Sequence, residues 1–116
     1  MANPYATDHV EVGELRLYVE QYGEPDGPAT PLLLLHGGLF DIELQFGALL
    51  PGLSAGRRAI AVECQGHGHT NDLDRPFSSA AFAGDVLGVL DHLGLNCVDV
   101  FGFSVGGAVA LELAVR

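Results

Sequence analysis

Apolar and polar residues alternate at Val10 and Val12 and again at Leu15, Leu17 and Val19, with Gly13-Glu14 between the two runs. A period of two on either side of a turn predicts an antiparallel hairpin with one face buried. Turn residues crowd the stretch from Gly23 to Pro31, which therefore reads as a loop. The next run, Pro31-Leu32-Leu33-Leu34-Leu35, is continuously apolar over a strand's length, the pattern of a strand covered on both faces. Ile42, Phe46, Leu49, Leu50 and Leu53 then recur at helical spacing, with Pro51 predicting a fresh turn rather than an unbroken helix.

Arg58 to Val62 is a second short strand, followed by a polar loop to Pro76. Ser78 or Ser79 is the expected N-cap of a helix that gathers Phe82, Val86, Val89, Leu90 and Leu93 on one face and closes at Gly94. The apolar run Val98 to Phe101 and the strong helix formers Ala108 to Ala114 complete the pattern. Strands alternating with helices predict an α/β fold with a parallel sheet and right-handed crossovers. There is no internal repeat and no low-complexity tract.

The chemistry concentrates where the last strand meets the last helix, in Gly102-Phe103-Ser104-Val105-Gly106. A serine at the tip of a sharp strand-to-helix turn needs unusual backbone angles and small neighbours, and Gly102 and Gly106 supply that room. Ser104 is the candidate nucleophile. The backbone NH of Val105 opens the helix, where unpaired NH groups and the helix dipole favour a developing negative charge. A chance occurrence of the pattern in a chain with 16 glycines is the plainer reading; its placement between a Val/Phe strand and a helix is what argues against it.

Length and composition narrow the partners. A chain of 116 residues with 48% hydrophobic content suits one globular domain, and a net charge of -10 opposes binding to a phosphate backbone. Nucleic acid is excluded as an expected partner. The apolar run Leu32 to Leu35 is far too short to cross a bilayer, so no membrane association is expected. The N-terminal residues carry neither a basic group nor an apolar run, which points to a cytoplasmic protein without a secretory signal. Cys64 and Cys97 show no Cys-x-x-Cys or metal spacing and are expected to be free.

Three segments, L-L-L-L-H-G-G-L-F-D (32 to 41), E-C-Q-G-H-G-H-T (63 to 70) and V-F-G-F-S-V-G-G-A-V-A (100 to 110), together resemble the N-terminal half of the α/β-hydrolase fold. Within that fold the chain is similar to the serine esterase, enol-lactonase and perhydrolase branch. The resemblance implies an antiparallel N-terminal hairpin followed by parallel strands with crossover helices. It also implies an oxyanion hole made by the NH groups of Gly38, with Leu39 as the fallback, and Val105. His36 and Gly37 belong to the same H-G-G motif, where His36 is expected to be a packed structural residue. Because Ser104 stands where epoxide hydrolases and haloalkane dehalogenases carry Asp, those chemistries are disfavoured.

The departures are informative as well. In the family's D-x-R-G-x-G-x-S loop this chain has Glu63 and Gln65, and Thr70 takes the last position. Glu63 is expected to be a structural carboxylate that binds loop NH groups. His67 and His69 flank Gly68 and with Glu63 form a superficial ligand set, but His-x-His needs a third ligand fixed at the right geometry and the resemblance explains the G-H-G without a metal, so no metal is expected, nor any cofactor. His9 and His92 are expected to be exposed, and Asp72, Asp74, Asp85, Asp91 and Asp99 to be solvated or loop-stabilising. By resemblance Cys64 and Cys97 lie at opposite ends of the sheet and are not bridged.

In the resembled family the triad runs Ser, then Asp or Glu, then His, whereas here only 12 residues follow Ser104, all in the helix that it begins, so neither the triad acid nor the base is expected among them. Residues 1 to 116 are therefore expected to be a partial domain, the N-terminal half of a longer protein, nearly inactive alone. The implied activity is hydrolysis of a carboxylic ester, a lactone or a similar small acyl substrate. A non-catalytic half-domain that self-associates through an exposed edge strand at Val98 to Phe101 is the competing expectation. Carbon-carbon bond hydrolysis and perhydrolysis are further alternatives that keep Ser104. Phe40 and Phe103 are either core residues or the lining of an acyl pocket.

Overall fold

The computed structural model describes residues 3–115. Its elements run β1 (Ala6–Val12), β2 (Leu15–Tyr22), β3 (Leu32–Leu35), α1 (Ile42–Phe46), α2 (Leu50–Leu53), β4 (Ala59–Val62), α3 (Ser79–Leu93), β5 (Asp99–Gly102) and α4 (Val105–Ala114). The strands form one sheet in the order β1-β2-β4-β3-β5. β1 and β2 are the expected antiparallel hairpin, with Val10 opposite Leu17 and Val12 opposite Leu15. β2 also pairs antiparallel with β4, while β3 lies parallel to both β4 and β5.

Side-chain parity divides the sheet between two apolar layers. Leu15, Leu17 and Val19 of β2, Leu33 and Leu35 of β3, and Ile60 and Val62 of β4 pack with Phe82, Val86 and Val89 of α3 and Val109 of α4. Tyr22, Leu32, Leu34, Ala59 and Ala61 turn the other way, onto Ile42, Phe46 and Leu50 of the two short helices. The unbroken apolar runs of β3 and β4 thus follow from having a cover on each face.

The helix ends obey local rules. Ser78, not Ser79, caps α3: its side chain accepts the Ala81 NH at 3.0 Å. At the other end Gly94 sits in the left-handed region with φ 71°, and the NH of Leu95 reaches the Leu90 carbonyl at 2.9 Å. Pro51 lies in the first turn of α2, so the helical run that begins at Ile42 breaks in two as expected. Asp41 caps α1 by accepting the Leu44 NH at 2.8 Å, a cap that the hydrophobic spacing alone did not indicate.

β5 is the last strand of the sheet and, among the described residues, pairs only with β3. Phe101 on this strand and Leu111 and Val115 beside it leave large apolar surfaces exposed. One expectation needs correction. Asp85 is not solvated: it is buried on α3 and paired with Arg75 at 2.5 Å, because the loop after β4 folds back over α3 and brings the guanidinium to it.

Burial depth sets the first prediction. Leu33 is fully buried in β3, a strand paired on both sides, so Leu33→Ala is expected to lower unfolding free energy by about 2–5 kcal/mol in urea denaturation. Leu111→Ala, on a residue 73% exposed, is expected to change it by less than about 0.5 kcal/mol.

Candidate active site

The turn between β5 and α4 is built on two close backbone approaches. A Cβ placed on Gly102 would lie 2.2 Å from the carbonyl oxygen of Gly106, and one on Gly106 would lie 2.2 Å from the carbonyl oxygen of Leu35 and 2.8 Å from that of His36. No other residue fits either position without moving the main chain. Held this way, Ser104 takes φ 55° and ψ -113°, a conformation that an L residue adopts only at a cost of order 1–3 kcal/mol. Its carbonyl accepts the Ala108 NH at 3.0 Å, while its side chain makes no capping bond and the residue is exposed. The hydroxyl is therefore accessible at the start of α4.

The H-G-G turn after β3 lies against this elbow. A Cβ on Gly37 would meet the Phe103 ring at 3.1 Å and the Phe103 carbonyl oxygen at 3.3 Å, and one on Gly38 would lie 3.4 Å from Cγ2 of Val105. Ser104, Val105, Gly102 and Gly106 are thus brought together with Gly37 and Gly38. Among the described residues no hydrogen bond engages the NH of Gly38 or of Val105. Leu39 differs: φ is 65°, its side chain is 93% exposed, and its NH donates to Nε2 of His67 at 3.1 Å. The fallback donor is already occupied.

His36 is fully buried, with Nδ1 donating to the Gly37 carbonyl at 2.8 Å and Nε2 accepting the Cys64 NH at 3.1 Å. Burial holds its pKa below the ordinary histidine value, so the imidazole is neutral and structural. Burial likewise pushes the Cys64 thiol up to about 12, which leaves it without thiolate character; Cys97 is exposed, and both cysteines are free.

Glu63 is buried and ties three groups of two loops. Oε2 accepts the Ile42 NH at 3.1 Å, and Oε1 accepts the His69 NH at 2.7 Å and the His69 Nδ1 proton at 2.9 Å. This is the structural role expected of it. Gln65, where the family pattern has Arg, receives Arg75 Nε at 2.6 Å and donates to Asp72 at 2.9 Å, so the guanidinium comes from ten residues further on. Sequence reasoning missed Arg75 because nothing local links it to Gln65 or Asp85.

The pair Glu63 and His69 has the form of a carboxylate and base, but it is displaced from the serine across the width of the sheet. His69 stacks on Tyr18 of β2 with ring centroids 4.2 Å apart, and β2 is separated from β5 by two strands. At about 4.8 Å per strand that is roughly 14 Å across the sheet. Among the described residues, no group of three or more His, Cys, Asp or Glu side chains is arranged to hold a metal ion, and no helix is long and apolar enough to cross a membrane. Phe40 and Phe103 prove not to be core residues: they are 40% and 50% exposed, with centroids 6.4 Å apart, flanking the turn.

A family model for the alpha/beta hydrolase fold matches residues 30–116. The chain belongs to that family. It is 39% identical over 105 residues to the magnesium-chelatase 30 kDa subunit of Rhodobacter capsulatus, covering 90% of this chain and 36% of that protein. It is 38% identical over 92 residues to a 2-hydroxymuconate semialdehyde hydrolase of Pseudomonas putida, covering 78% of this chain and 33% of that one. Among solved structures, the enol-lactonase from Burkholderia xenovorans LB400 superposes with a TM-score of 0.87 at 28% identity, over 93% of this chain and 41% of the enol-lactonase. The chain thus spans little more than a third of the length of the relatives it matches.

His36 gives a pH dependence whose sign follows from its lowered pKa. The unfolded chain takes up a proton as pH falls through about 6.5, whereas the folded chain does so only at lower pH. Stability present above about 6.5 is therefore lost as pH falls toward the folded value. Urea midpoints are expected to drop between roughly pH 7 and pH 5, and His36→Gln is expected to flatten that slope. The buried Asp85, whose pKa is raised by burial, acts with the opposite sign in both chains, so the difference between them isolates His36.

Proposed function

We propose that Ser104 is the nucleophile of an acyl-transfer hydrolase, with the NH groups of Gly38 and Val105 as its oxyanion donors. The observation that carries this reading is the strained, uncapped and exposed serine at the N-terminus of α4, set against a turn whose Gly38 NH is uncommitted. Strain of this kind persists only where surrounding structure enforces it, and it aims the hydroxyl away from the helix that would otherwise use it as a cap.

The reaction is attack of Oγ on a carbonyl carbon, transfer of the hydroxyl proton to a base, collapse of the oxyanion with loss of the alcohol or enol, and hydrolysis of the acyl-serine by water. Relatives named as an enol-lactonase and a semialdehyde hydrolase favour a small carboxylic ester, a lactone or a diketone as substrate. Perhydrolysis, with peroxide in place of water, uses the same serine. The triad acid and base come from residues other than those described, as the share of each relative that the chain covers suggests. Loss of a triad member in a serine hydrolase costs on the order of 10⁶ in turnover, so the 116-residue chain is nearly inactive alone.

A second reading rests on β5, which offers an edge with one side unpaired and Phe101 exposed. Such an edge suits a non-catalytic half-domain that associates through strand pairing. Sedimentation over a range of concentrations distinguishes a monomer from this self-association.

Fluorophosphonate labelling read by intact mass tests the main proposal. The chain alone is expected to label negligibly. Joined to the C-terminal remainder of the enol-lactonase, it is expected to label with one equivalent, and Ser104→Ala is expected to abolish the adduct. An adduct that survives Ser104→Ala, or no adduct in the joined protein, would count against the nucleophile.

A further inference from the structure

The loops after β3 and β4 exchange histidines. Nε2 of His36, on the β3 side, accepts the Cys64 NH at 3.1 Å from the β4 side; Nε2 of His67, on the β4 side, accepts the Leu39 NH at 3.1 Å from the β3 side. In each case the other ring nitrogen donates to a carbonyl of the histidine's own loop: Nδ1 of His36 to Gly37 at 2.8 Å, and Nδ1 of His67 to Gln65 at 2.9 Å. Both rings are thereby fixed as neutral imidazoles protonated on Nδ1, and their centroids stand 5.3 Å apart. Two loops that share no ladder hydrogen bond beyond the ends of their strands are clamped by two bonds of the same kind in opposite directions.

We propose that His36 and His67 form a reciprocal brace that holds the Gly37-Gly38-Leu39 turn, and hence the Gly38 NH, in place beside Ser104. Both are positioning residues, and the proposal rests on the reading of Gly38 as an oxyanion donor. The His67 half has the greater leverage. Leu39 has φ 65° and an almost fully exposed side chain, so its side chain adds no packing, and the His67 bond ties its NH to the neighbouring loop. Of the other bonds in the turn, the one from the Phe40 NH to the Gly37 carbonyl at 3.1 Å closes the turn on itself, and the one from the Gly37 NH to Gln45 Oε1 at 3.2 Å anchors its first residue to α1, two positions before Leu39.

The brace makes the turn sensitive to protonation. An imidazolium has no acceptor, so a protonated His67 would face the Leu39 NH with a second donor. His67 is half-buried and within reach of water, whereas His36 is sealed. The groups facing the pair are few. Cys64 Sγ lies 3.1 Å from Nδ1 of His67, and Asp72 approaches from the loop beyond. Glu63 on the β4 side and Asp41 before α1 act on His36, and each ring acts on the other. The Phe77 ring stands 6.0 Å from that of His67 and carries no charge.

Amide hydrogen exchange and imidazole nitrogen shifts on the isotopically labelled chain test this without any assay of activity. In His67→Phe, which keeps a ring but removes the acceptor, the Leu39 protection factor is expected to fall at least tenfold, with that of Ile60 in the core unchanged. His67→Gln, which restores an acceptor near the position of Nε2, is expected to recover most of it. In the unsubstituted chain, loss of Leu39 protection on acidification is expected to share its midpoint with protonation of the His67 ring. This last comparison decides the matter even where a variant fails to fold. Leu39 protection that is indifferent to the state of His67, or a His67 ring protonated on Nε2 at neutral pH, would overturn the brace. Fluorophosphonate reactivity is scored separately on the joined protein, so an intact brace around a serine that fails to label there counts against the hydrolase reading alone.

Discussion

The contact on which the rest depends is the seat of Gly106 against the carbonyl oxygens of Leu35 and His36. It brings the first turn of α4 onto the end of β3 at a distance that no side chain tolerates, and the same approach forces Ser104 into its strained backbone angles. The Phe103 NH completes the join by reaching the Leu35 carbonyl at 3.2 Å. Because β3 ends there, the H-G-G turn begins there too, so the two motifs are neighbours as a consequence of one packing event. Strain at Ser104 is tolerable only because β3 is held on both sides, by β4 and β5, and on both faces by the two apolar layers.

Around that seat the polar loops are organised by side chains that reach across rather than along the chain. Glu63 joins the start of α1 to the G-H-G-H loop, Gln65 and Arg75 join that loop to Asp85 on α3, and His36 and His67 join it to the turn after β3. The buried carboxylate of Glu63, the Gln65 amide and the His36 ring all find hydrogen-bond partners, as a low-dielectric setting demands. Gln65, which stands where the family pattern has Arg, accepts Arg75 Nε at 2.6 Å, and the same guanidinium pairs with Asp85. Above these cross-linked loops Phe40 and Phe103 are exposed, Phe103 next to the serine.

What was legible in the sequence follows periodic physics. The hairpin, both short apolar strands, the Pro51 break and the Gly94 cap all appeared where hydrophobic spacing and turn chemistry placed them, because each depends on neighbours a few residues away. The elbow was legible for the same reason, since two glycines around a serine between a strand and a helix is a local demand on backbone angles. The roles of Asp85 and Arg75, the occupied state of the Leu39 NH, and the surface position of Phe40 and Phe103 were not legible. All of these turn on contacts between residues ten or more positions apart or on which face of a turn points outward.

The division between the two is therefore physical. By itself the sequence determined the elements, their order and the identity of the serine motif, since these rest on side-chain period, helix capping and glycine freedom. Only the tertiary structure decided that β2 pairs with β4 rather than with β3 and that His69, stacked on β2, has two strands between it and β5, whereas the edge position of β5 was already expected from the family resemblance. Sheet order fixes those distances, and sheet order is set by which hydrophobic faces find each other after the chain collapses, which no local pattern records.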